Sequence, residues 1–67
     1  STREKLLTYF EQQKGENNST HFSLPVSLSS LADYLGVDRS AMQREIKHLN
    51  NEGIIHSKGK NIELLRN

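Results

Sequence analysis

The sequence predicts a mainly α-helical fold with a small β-sheet: three helices, an edge strand and a C-terminal β-hairpin. Three observations predict it. Leu28, Leu31, Ala32 and Leu35 repeat at i, i+3, i+4 and i+7, and a second helical stripe begins only a few residues later. Residues 21–26 and the two arms around Gly59 instead alternate with period two. Finally, a chain of 67 residues without cysteine has to fold around one packed core.

Taken in order, residues 2–14 read as a helix. Thr2 is the expected cap, with Lys5 where a capping box would place Glu; Leu6, Leu7 and Phe10 form the apolar stripe and Gly15 is the expected stop. Residues 15–20 are polar turn-formers and predict a surface loop. In 21–26, Phe22, Leu24 and Val26 share one face of a short strand, which Pro25 confines to an edge or to its end. Ser27 then caps a helix over 28–35 that Gly36 terminates. After Gly36 and Val37, Asp38 caps a helix over 39–52 with Ala41, Met42, Ile46 and Leu49 inward and Gly53 just past its end. The tail is a hairpin: 54–57 as one arm, Lys58-Gly59-Lys60 as the turn, 61–65 as the return.

Charge is unevenly placed. The formal net charge is +1, yet residues 1–38 carry −2 and residues 39–60 carry +3, from Arg39, Arg44, Lys47, Lys58 and Lys60 against Glu45 and Glu52. A polyanion would therefore dock on the second half. No apolar run approaches the roughly 20 residues that span a bilayer, and Arg3, Glu4 and Lys5 do not suit a signal peptide. Together with the lack of cysteine, this makes a cytoplasmic location the expectation. An enzyme is not expected. The sequence shows no paired carboxylates, no phosphate loop and no metal-ligand spacing, and so small a core leaves no room for a deep cleft. No cofactor is expected in this domain, and His21, His48 and His56 show no ligand pattern.

Two helices joined by so short a glycine-containing turn form a helix-turn-helix unit, and the order helix, strand, helix, helix, hairpin is that of a winged helix-turn-helix. Ala32 is small where the helices approach, and Val37 plugs the space at the turn. In the DNA-binding form the second helix enters the major groove by its N-terminal end. Arg39, Ser40, Gln43 and Arg44 lie off its apolar stripe and are the candidate base readers. An Arg fork matches guanine O6 and N7, and Gln matches adenine N6 and N7. The candidate phosphate contacts are Ser27 and Ser29 at a helix N-terminus, Lys47 on the reading helix, and Lys58 and Lys60 beside the hairpin tip.

The run from Leu31 to Ser40, followed by Met42, Arg44, Leu49, Glu52-Gly53-Ile54-Ile55 and the Gly59-Lys60 turn, resembles the C-terminal winged-helix domain of the Crp/Fnr transcription regulators. The resemblance covers nearly the whole chain. It implies a bacterial regulator of which these residues are one domain, joined to an upstream sensing β-barrel and a dimerisation helix. Its implied partners are two-fold symmetric duplex DNA, a second copy of the regulator through that N-terminal part, and RNA polymerase. In the family the base-reading positions correspond to Arg39, Ser40, Gln43 and Arg44. Two residues depart from the pattern. Ser40 stands where the family often has Glu, so the usual half-site does not carry over. Asp38 stands where Ser or Thr is common and brings a negative charge near the phosphates. The alternative expectation is a winged-helix protein-interaction adaptor that binds no DNA, because fold alone does not settle function.

Overall fold

The computed structural model describes residues 1–65, which form α1 (Thr2–Asn17), β1 (His21–Ser23), α2 (Leu28–Leu35), α3 (Arg39–Asn51), β2 (Ile55–Lys58) and β3 (Asn61–Leu64). The mainly helical fold with a small sheet and a terminal hairpin is the one expected. One core unites all six elements. Leu6 and Phe10 of α1, Leu31 of α2, Met42 and Leu49 of α3, and Ile55 and Ile62 of the hairpin are all buried in it, with Leu24.

The limits of α1 differ from the expectation at both ends. Ser1, not Thr2, is the cap. Its Oγ accepts from the Glu4 N–H at 3.2 Å, and Glu4 reaches back to complete a capping box one residue earlier than Lys5 would have. Gly15 does not stop the helix. Glycine in a helix costs only about 1 kcal/mol relative to alanine, and the chain runs on until Asn18 takes the left-handed conformation at φ 52°. There the Ser19 N–H returns to the Lys14 carbonyl at 3.2 Å. The expected loop therefore shrinks to residues 18–20. The buried stripe is Leu6, Tyr9, Phe10 and Gln13, while Leu7 is only partly covered.

The strand expected over 21–26 is regular only over His21–Ser23. Leu24 adds one further bond, its N–H donating to the Lys60 carbonyl at 2.8 Å. Pro25 has no N–H to continue the ladder. The sheet is antiparallel in the order β1-β3-β2, with Phe22 opposite Ile62 and Ile55 opposite Leu64. Those four side chains face the core. His21, Ser23, His56, Lys58, Asn61 and Glu63 therefore line the outer face. The hairpin turn is tighter than expected. Lys58 pairs with Asn61, leaving Gly59 and Lys60 as the two central residues, and positive φ at Gly59 alone (58°) suits a type II′ turn.

The α2–α3 unit follows the expectation closely. Ser27 caps α2 by accepting from the Ser30 N–H at 3.1 Å. Gly36, at φ 68°, lets the Val37 N–H return to the Ala32 carbonyl at 3.0 Å. Asp38 Oδ2 then accepts from the Ala41 N–H at 3.0 Å to start α3. Ala32 is buried and Val37 packs against the core edge. The α3 helix ends at Asn51, one residue short of the expected 52, with Glu52 as its cap.

Candidate nucleic-acid interface

With Met42, Ile46 and Leu49 buried, the opposite side of α3 has to face solvent. Arg39, Ser40, Gln43, Arg44 and Lys47 are all exposed. Among the described residues, no hydrogen bond or ion pair engages their side chains. At about 100° of rotation per residue, Ser40, Arg44 and Lys47 fall within an arc of about 60°, Gln43 lies about 40° outside it and Arg39 farther still, in the first turn. The same arc holds Asn51, which is exposed and which the sequence reading missed. The signal was available, since Asn51 follows Arg44 by seven residues and Lys47 by four.

The other candidates are spread around this face. Ser27 is exposed, but its hydroxyl is already used. It accepts from the Ser30 N–H and donates to the Ser30 Oγ at 3.0 Å. What the start of α2 can offer an anion is its backbone N–H groups. Ser29 is half-buried in the first turn of that helix. Lys58 and Lys60 are exposed at the end of the hairpin, on either side of Gly59.

Two polar ties hold α3 in place, and neither was visible in the sequence. Asn50 is the penultimate residue of α3. Its Oδ1 accepts from the Ser57 N–H at 2.9 Å, and its Nδ2 donates to the Ile46 carbonyl and the Ser57 Oγ, both at 2.8 Å. This fastens β2 to the helix. On the other flank, Arg3 of α1 donates from Nε to Glu45 at 2.8 Å, while its two terminal nitrogens bind the two carboxylate oxygens of Glu52, one of them at 3.0 Å. The hydrogen bonds it donates to Glu52 and then to Glu45 hold the guanidinium even more firmly protonated than usual.

His21, His56 and the tyrosines lie off α3, whereas His48 is exposed on it one turn after Arg44. The register sets His21 and His56 on either side of Glu63, beside a hollow of about 440 Å³ over the outer sheet. No group of three potential metal ligands forms among the described residues. Tyr9 is buried, which pushes its phenol pKa up, and it meets the exposed Tyr34 edge-on at 5.9 Å between α1 and α2.

The outward-facing α3, the glycine-terminated α2 and the lysine-flanked hairpin define a domain of the winged helix-turn-helix class. The family model of Crp-like helix-turn-helix domains matches residues 4–66, and the chain belongs to that family. No curated protein matches it significantly, and neither does any solved structure. Among the described residues, no helix is long and apolar enough to cross a membrane.

Proposed function

We propose that this domain reads duplex DNA sequence-specifically as the DNA-binding module of a bacterial transcription regulator. The observation that carries this reading is the polar surface of α3, where two arginines, a lysine, a glutamine and a serine are exposed and, among the described residues, bonded to nothing. Hydrogen-bonding groups kept in solvent lose little when they trade water for base edges, and Arg and Gln carry the forked geometry that those edges require. Arg44 and Gln43 make the principal base contacts, with Arg39 and Ser40 reading beside them. Lys47, Lys58, Lys60, Ser29 and the N-terminus of α2 at Ser27 hold phosphates and set the register.

The regulator works in the cytoplasm as a homodimer whose two reading helices lie about 34 Å apart on one face of the duplex, and RNA polymerase is its further partner. The domain itself uses no cofactor and catalyses no reaction.

Selection of bound sequences from random duplexes, followed by a salt titration on the best site, tests this. We expect a defined half-site. We also expect an affinity that falls with salt at a log–log slope of about −0.9 per phosphate contact. Recovery of unenriched sequences would remove the sequence-reading role. Absence of duplex binding at low salt would favour an adaptor instead.

A further inference from the structure

We propose that Arg3 is a positioning residue for the reading helix, setting the roll of α3 about its axis through Glu45 and Glu52. This rests on the DNA-reading role proposed above for α3.

Glu45 and Glu52 are seven residues apart, so they stand on nearly the same side of the helix, about 10 Å apart along its axis. One guanidinium reaches both, with Nε on Glu45 and its far edge on Glu52. Burial of Leu6, Phe10, Met42 and Leu49 draws α1 and α3 into one core, but apolar attraction is non-directional and resists rolling only through shape. Planar forked hydrogen bonds at two heights do resist it. On the opposite flank, Asn50 holds Ser57 of β2. The reading arc is thus braced from α1 on one side and from the hairpin on the other.

The required tolerance shows why this matters. A roll of about 10° sweeps atoms about 6 Å from the helix axis through about 1 Å. That exceeds the roughly 0.5 Å within which a binding constellation has to be held. Arg3 lies on the α1 flank of α3, away from the arc of Ser40, Arg44 and Lys47. Its contribution to DNA binding is therefore orientation of the readers, not contact with the duplex. The side chains of Arg3 and Glu52 are 35% and 46% exposed, so the pair adds little to overall stability, and loss of the clamp leaves the domain folded.

The test compares Arg3→Lys and Arg3→Met with the wild-type chain on its selected duplex and on a scrambled one, across a salt series. Lysine keeps the charge but lacks the fork. We expect both variants to lower the preference for the selected duplex by roughly three- to tenfold, with the salt slope unchanged because the phosphate contacts are the same. An unchanged preference in both folded variants would overturn the proposal. So would full recovery by lysine, because charge alone would then suffice. Amide hydrogen exchange without DNA forms a separate arm. Exchange in α3 should quicken relative to α2 in Arg3→Lys, and equal protection in both proteins would count against the clamp. Should the wild-type chain bind no duplex, the DNA-reading role fails, while the exchange arm still tests the clamp. If Arg3→Met does not fold, Glu52→Gln weakens the same tie with a smaller change and is expected to give the same loss of preference.

Discussion

The two polar sides of α3 use their charges in opposite ways. On the flank facing α1, Glu45 and the capping Glu52 are bound to Arg3. On the solvent side, Arg39, Arg44 and Lys47 are bound to nothing among the described residues. A single helix has therefore sorted its acids into structure and its bases into availability. Charge count is a poor guide to this surface. The net charge of residues 39–60 is +3, but the charges are segregated: the arc of Ser40, Arg44 and Lys47 carries bases alone, while Glu45 and Glu52 sit on the flank that meets Arg3.

The sharpest contrast should come from substitutions on either side of α3. Leu49 is fully buried, and Leu49→Ala should destabilise the fold by about 2–5 kcal/mol, read as a lower thermal midpoint. The sequence preference of the folded fraction should stay as it is; a changed preference would mean that the core also sets the specificity. Arg44→Ala is the mirror case. It should leave the midpoint unchanged, weaken the best site by about 1–3 kcal/mol and relax preference at one base pair. Equal weakening on cognate and scrambled duplexes would reassign Arg44 to the phosphates.

Asn50→Ala probes the brace on the hairpin side. It leaves the half-buried Ser57 N–H without its acceptor, at a cost of about 1–3 kcal/mol. Amide exchange in β2 should rise before exchange in α2, and uniform acceleration would argue that the tie is not local. The smallest effect lies far from the exposed face of α3. Gly15 sits in α1 with nothing near the position of an added Cβ. Gly15→Ala should therefore raise stability by about 0.5–1 kcal/mol, with DNA binding untouched. A loss of stability would show that the glycine is needed for the helix end after all.

Much of the α2–α3 unit was legible in the sequence because its signals are local. Ser27, Gly36 and Asp38 each act on backbone groups within four residues, so spacing alone identifies them. The ends of α1 were misread for a related reason. Ser1 and Thr2 are equally good caps by residue type, and Glu4 decides between them only when its side chain is seen bonding back. Gly15 and Asn18 are both plausible stops, and the choice fell to the residue that completes the backbone bonds of the last turn. Asn51 could have been found from helical spacing, whereas Arg3 could not. Its partners lie 42 and 49 residues away along the chain.

By itself, then, the sequence determined the order of the elements, the caps and glycine turn of the reading unit, and which side of α3 is apolar. Periodicity and capping are short-range, and neighbouring residues carry that information. Tertiary structure alone decided the partners of Glu45 and Glu52 and the fastening of Asn50 to Ser57. Those depend on where separate elements come to rest against one another. Packing of the shared core sets that arrangement, and no single stretch of chain encodes it.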